Sequence, residues 1–210
     1  MKTLIVVDVQ NDFINPVWGH LYVNKGEEVV QNIIDYIKNN ISELREVVFT
    51  LDWHPNVDSV FTEPNITWPK HCLQFSEGAA IPQILIDTCV DNHINMKFFI
   101  KGNDTYKDPT HTEYGAFDDI GKWGIYNGEK LFKVNNRLQD SPLWLYPDDE
   151  FVVCGVAGDY CVMNTIKNLQ KYEHENQGLK ISIFKSGIRS IDDGTTLNEF
   201  IQKNNFDIYG

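Results

Sequence analysis

No stretch of this 210-residue chain approaches the ~20 consecutive apolar residues that a membrane-spanning helix requires. The apolar start, Leu4-Ile5-Val6-Val7, stops at Asp8 and is too short for a signal peptide. A soluble, cytoplasmic protein is expected. Positive charge is also scarce, with 18 Lys and Arg against 30 Asp and Glu and a formal net charge of -12. No basic stripe offsets it, so neither nucleic acid nor an anionic membrane is an expected partner. Cysteine is scarcer still. Cys72, Cys89, Cys154 and Cys161 form no CxxC pair and fall far short of a disulfide framework, which reads as reduced thiols in a reducing compartment. Internal repeats, low-complexity tracts and marked domain boundaries are all missing.

What is present is an ordinary globular composition, 42% hydrophobic and 23% charged. A chain of this length can bury about 70% of its unfolded surface in one core, and a single domain spanning 1–210 is expected. Apolar runs rich in β-branched residues occur at 3–8, 46–51, 96–100, 150–154 and 179–184. Helical spacing lies between several of them. Val29, Val30, Ile33, Ile34 and Ile37 share one face over 27–39; Val162, Thr165, Ile166 and Leu169 share another from about Asp159; a third helix is expected over 194–203. This alternation predicts an α/β fold, a doubly wound parallel sheet flanked by helices. Two stretches, 53–80 and 101–127, are too long to be mere connections.

Ligands of open α/β sheets bind outside the carboxyl ends of the strands, which directs attention to Asp8, Asp52, Lys101 and the segment 155–161. An aspartate can carry a proton, a lysine can hold that aspartate in place, and a nearby cysteine can attack once deprotonated. A helix beginning near Asp159 would also favour a Cys161 thiolate through its free N–H groups and dipole. A lone cysteine at a helix start is more often a small packed hydrophobe; here its company matters. The second constellation is Asp52-Trp53-His54 with His71 in Trp68-Pro69-Lys70-His71-Cys72, an oxygen and nitrogen set suited to zinc, iron or manganese with coordination positions left open. Glu63 shares that loop but reads as solvated, and His20, His93, His111 and His174 read as surface residues.

Five blocks, Asp8-Val9-Gln10-Asn11-Asp12-Phe13, Asp52-Trp53-His54-Pro55, Trp68-Pro69-Lys70-His71-Cys72, Lys101-Gly102 and Gly155-Val156-Ala157-Gly158-Asp159-Tyr160-Cys161-Val162, resemble the signature blocks of the nicotinamidase/pyrazinamidase group of isochorismatase-like cysteine hydrolases. They span nearly the whole chain in the same order. The resemblance implies a parallel sheet of about six strands. It implies Asp8, Lys101 and Cys161 as catalytic triad, and one divalent metal, zinc foremost with iron or manganese as alternatives, on Asp52, His54 and His71. It further implies a cis Val156–Ala157 peptide and an oxyanion hole from the N–H groups of Ala157 and Cys161. Phe13, Trp68, Val156 and Tyr160 would surround the substrate.

The implied activity is hydrolysis of nicotinamide to nicotinate and ammonia in NAD salvage, through a thioester on Cys161 and with the ring nitrogen on the metal. A homo-oligomer is expected on general grounds. Three readings compete: a superfamily relative acting on a ureido, carbamoyl or vinyl-ether substrate, a metallohydrolase using metal-activated water, and a silent binding module. The chain departs from the family pattern at Gly158, where threonine is frequent, and in the stretches 103–113 and 122–146.

Overall fold

The computed structural model describes residues 1–56, 61, 68–102, 115–117, 122–126, 131–134, 149–175 and 180–210. Its core is one sheet. The strands are β1 (Lys2–Val7), β2 (Leu44–Asp52), β3 (Asn95–Lys101), β4 (Lys122–Tyr126), β5 (Leu131–Val134), β6 (Glu150–Val156), β7 (Lys180–Arg189) and β8 (Asp207–Tyr209), in the spatial order β5-β4-β3-β2-β1-β6-β7-β8. Six of them, β3, β2, β1, β6, β7 and β8, are parallel to one another, as expected. The antiparallel pair β4 and β5 extends the edge next to β3. These two strands fall within 122–146, where no helical period was legible.

The central strands read as near-continuous apolar runs because both of their faces are covered. Leu4, Ile5, Val6 and Val7 of β1 and Val152 and Val153 of β6 are wholly buried. The helices are α1 (Asn11–Ile14), α2 (Glu28–Asn39), α3 (Gln83–Asp91), α4 (Met163–Glu175) and α5 (Thr195–Asn204). The stripes read from sequence point inward, with Val29, Ile33, Ile34 and Ile37 buried on α2 and Thr165, Ile166 and Leu169 on α4. Helices α2 and α3 pack on one another, and because the chain crosses in the opposite direction from β6 to β7, the right-handed rule for parallel crossovers assigns α4 to the other face. Helix α3 was not legible, because its buried residues are only Leu85, Thr88 and Cys89 while Ile84 and Val90 face solvent.

The chain runs outward from β1 through β2 to β3, then returns to the other side of β1 for β6, β7 and β8. The order reverses between β1 and β6, which opens a crevice at the carboxyl ends of these strands. Gly155 permits the close approach there. Its φ is +121°, and a Cβ on it would lie 2.0 Å from the Val7 carbonyl oxygen. No helix among the described residues is long and apolar enough to cross a membrane.

Candidate active site

Asp8 follows β1 with φ +50°, a left-handed conformation uncommon outside glycine and costly for most side chains. It turns the carboxyl group into the crevice, where it is wholly buried. The Thr50 hydroxyl donates to Asp8 Oδ1 at 2.5 Å, and the Asp8 N–H donates back to Thr50 Oγ1 at 3.2 Å. Lys101, ending β3, sets its Nζ 2.7 Å from Asp8 Oδ2 and 2.5 Å from Asp52 Oδ1. The first contact is an ion pair at hydrogen-bonding distance, and both it and the Thr50 bond favour the Asp8 carboxylate. Cys161 Sγ lies 3.7 Å from the same ammonium, and Asp8, Asp52 and Cys161 present donor atoms within 4.8 Å of one another.

Electrostatics divide these groups. Burial disfavours the Lys101 ammonium, but the Asp52 and Asp8 carboxylates outweigh it and raise its pKa well above the usual lysine value. Burial likewise opposes ionisation of Asp52, yet Lys101 and His54 hold it well below the carboxylate range. For Asp8 burial prevails over the pull of Lys101 and moves the pKa up. Burial also pushes the Cys161 thiol well above its ordinary value, with Lys101 opposing and Asp8 and Asp52 reinforcing. Burial thus works against the thiolate that a helix terminus would favour, and Asp8, raised in the same way beside it, is placed to take the thiol proton as attack begins.

The segment carrying Cys161 starts as one turn of π-helix, Gly158–Val162, that leads into α4. The peptide Val156–Ala157 before it is cis. The Ala157 carbonyl accepts from the N–H groups of Tyr160 (3.2 Å) and Val162 (3.0 Å), fixing the turn from within.

Asp52, His54 and His71 are all buried, with ligand atoms within 4.8 Å of one another. His54 Nε2 and His71 Nε2 stand 3.6 and 3.7 Å from Asp52 Oδ2, close to the ~3.3 Å edge of a tetrahedron with zinc–ligand bonds of about 2.0–2.1 Å. His71 Nδ1 is 2.7 Å from the Pro69 carbonyl oxygen, which assigns the proton to Nδ1 and leaves the Nε2 lone pair facing the cluster. An O,N,N donor set of this kind fits zinc, iron or manganese. Gly102 (φ +65°) makes room for it, since a Cβ there would lie 2.6 Å from the His54 ring. Glu63 lies outside the described residues. Cys72 is in the left-handed region (φ 44°) rather than extended, and its thiol is not part of the set.

A pocket opens beside both constellations, about 370 Å³ when the solvent at its mouth is counted. Phe13, Trp68, Ala157 and Tyr160 line it together with Asp52, His71 and Cys161. Trp68 meets Tyr160 edge-on at 5.3 Å, and Phe13 lies 5.3 Å from the His71 ring. Val156, placed at the substrate by resemblance, is wholly buried and does not line the pocket.

Several site residues were missed in the sequence. Gln10 donates to the Asp52 (2.8 Å) and Ala79 (2.9 Å) carbonyls and accepts from the Asp52 N–H at 2.8 Å. Asp12 Oδ2 accepts from the Cys72 N–H at 2.6 Å, while Oδ1 lies 2.6 Å from His20 Nδ1. His20 is thus exposed, as read, but not without a partner. Phe61 covers the His54 and His71 rings at 5.2 and 5.5 Å. Leu21, Val23 and Ile191 complete the apolar lining. Gln10 and Asp12 were in plain view in the first block, and burial of a polar residue right after a strand is the signal that marks them.

A thiol, a carboxylate and an ammonium gathered at the switch point of a parallel sheet, beside a pocket lined with aromatic side chains, define a hydrolase of the α/β class. The comparisons narrow it. A nicotinamidase of Saccharomyces cerevisiae is 33% identical over 189 residues, 79% of each chain. The solved yeast nicotinamidase, known also with the inhibitor nicotinaldehyde, matches with a TM-score of 0.73 at 29% identity over 99% of both chains. A zinc complex of Pyrococcus horikoshii pyrazinamidase matches with a TM-score of 0.64 over 99% of this chain and 98% of that one, at 22% identity, a likeness of fold. No protein-family profile matches the chain. The chain belongs to the nicotinamidase/pyrazinamidase family of isochorismatase-like hydrolases, and is accordingly an amidohydrolase.

Proposed function

We propose that this protein hydrolyses nicotinamide to nicotinate and ammonia, a step of NAD salvage, with Cys161 as nucleophile. The observation that carries the reading is the buried Lys101 ammonium shared by Asp8 and Asp52 within 3.7 Å of Cys161 Sγ, at the wall of an aromatic-lined pocket. Asp8 takes the thiol proton as sulfur attacks the carboxamide carbon. The N–H groups of Ala157 and Cys161 receive the developing oxyanion. Asp8 then passes the proton to the departing nitrogen, which leaves as ammonia. The thioester is cleaved by water, which gives a proton to Asp8; nicotinate leaves and Cys161 recovers its proton. Lys101 keeps Asp8 oriented throughout.

Phe13, Trp68 and Tyr160 hold the ring, and their apolar surface excludes bulk water. Asp52, His54 and His71 would hold one divalent metal, zinc first among the candidates, supplying a Lewis-acid position for the pyridine nitrogen. The test is ammonia release from nicotinamide by the wild-type protein, the Cys161→Ala variant and a chelator-treated sample. Turnover that is lost in the variant and lowered by the chelator supports the reading. Absence of turnover by zinc-replete wild-type protein refutes it.

A further inference from the structure

The pocket has one wall that none of the catalytic or metal-binding roles uses. Strand β7 ends at Arg189, and the residues after it run alongside the turn that carries Cys161. The Asp159 carboxyl group, 8% exposed, accepts from the Ile191 N–H through Oδ1 at 3.0 Å and from the Asp192 N–H through Oδ2 at 2.9 Å. Ser190 packs against Gly158 so closely that a Cβ on Gly158 would lie 2.3 Å from Ser190 Oγ. On its far side the strap is tied to α5, because Asp192 also accepts from the N–H groups of Gly194 (2.7 Å) and Thr196 (3.1 Å).

The backbone of 190–192 is thus braced from both directions. The side chain held in this frame is an isoleucine that remains 45% exposed and lines the same pocket as Cys161. Apolar burial favours folding in proportion to the area removed from water, so a half-exposed Ile191 adds little to stability for the hydrogen bonds invested in its backbone. What it faces explains its placement better than what it buries.

We propose that Ile191 is a specificity-determining wall of the pocket, limiting substituents on the ring of a heteroaromatic carboxamide, and that Asp159 is the residue that positions it. The proposal rests on the nicotinamide reading above. An apolar wall discriminates one methylene by about 10–200-fold, so trimming it is expected to relieve rejection of a methylated ring. Asp159, two residues before the nucleophile, links the rim to the turn that carries out the attack.

The test compares kcat/KM for nicotinamide with that for each ring-methylated nicotinamide in wild-type protein, Ile191→Ala, Asp159→Asn and Asp159→Ala. In Ile191→Ala at least one methylated ring is expected to gain about 10-fold or more relative to nicotinamide, through KM rather than kcat. Asp159→Ala is expected to shift the same ratio in the same direction, and Asp159→Asn, which retains one acceptor oxygen, to fall between it and wild type. Alkylation of Cys161 by iodoacetamide at the wild-type rate in Ile191→Ala shows that the nucleophile turn is intact. Unchanged ratios for every methylated ring in Ile191→Ala overturn the wall. Unchanged ratios in the Asp159 variants beside a shifted Ile191→Ala overturn the positioning role. If an Asp159 variant does not fold, Ile191→Ala still decides the wall and the other Asp159 variant the positioning. Failure of wild-type protein to hydrolyse nicotinamide at all would instead refute the underlying function.

Discussion

Replacing Gln10 by alanine separates the scaffold of the metal set from its ligands. The Gln10 side chain is fully buried and satisfies three backbone groups: the Asp52 N–H, the Asp52 carbonyl and the Ala79 carbonyl. At about 1 kcal/mol for each hydrogen bond lost, the substitution costs about 3 kcal/mol before any cavity term. For a protein of this size 1 kcal/mol lowers Tm by about 2–4 °C, so a fall of roughly 6–12 °C is expected in chelator. Stability alone would not identify a role, since any buried glutamine would behave so. The diagnostic quantity is zinc affinity, read by competition with a chromophoric chelator. Loss of an outer support of a metal site weakens binding about 10–100-fold, and Gln10 touches no donor atom of the set. A Gln10→Ala protein with the lowered Tm but zinc affinity within about twofold of wild type, well short of that loss, refutes the idea that Gln10 holds Asp52 in ligating position.

Lys101→Met leaves the Asp8 and Asp52 carboxyl groups buried without their shared cation, and breaking a buried pair in this way is expected to cost about 3–5 kcal/mol; urea unfolding measures it, with nicotinamide hydrolysis lost in parallel. Iodoacetamide at neutral pH is expected to label Cys161 alone, as a single adduct in intact-mass spectra. Cys161 is buried too, but it lines the pocket and has the Asp8 carboxylate beside it to take its proton, whereas the other thiols do not line the pocket, that of Cys89 being pushed up to about 12; more than one adduct on the folded protein contradicts this. Gly155→Ala drives a Cβ into the Val7 carbonyl and is expected to yield no folded protein, judged by far-UV circular dichroism and solubility. Asp12→Ala frees the Cys72 N–H and the backbone beside His71, and is expected to lower zinc affinity without abolishing folding.

The parts of the site that could be read in the sequence are those set by local pattern. Asp8, Asp52 and Lys101 each end an apolar run, and in a parallel sheet that suffices to place them on one edge. Residues whose work is done across the sheet could not be read that way. Gln10 and Thr50 act on groups more than forty residues distant, and no periodicity encodes such a partner. Ile191 was hidden by a misjudged strand end. The apolar run stops at Phe184, but β7 continues through Lys185, Ser186 and Gly187 to Arg189, passing a register shift in which Val153 pairs with Ile183 and Gly155 with Ile188. A helix end is one influence among several on Cys161, because burial and three charged neighbours act on the same thiol, and none of these is local in sequence.

The reversal of strand order at β1 also has a consequence for synthesis. Once residues 44–52 have left the ribosome, β1 can pair on one side with β2, but its other side waits for Glu150–Val156. Until then, Leu4-Ile5-Val6-Val7 offers a hydrophobic edge with unpaired backbone groups, the kind of surface that recruits foreign strands. The nucleophile arrives with the same late segment that closes this edge. A nascent chain therefore carries its aggregation hazard for as long as it lacks its reactive thiol, and both conditions end together.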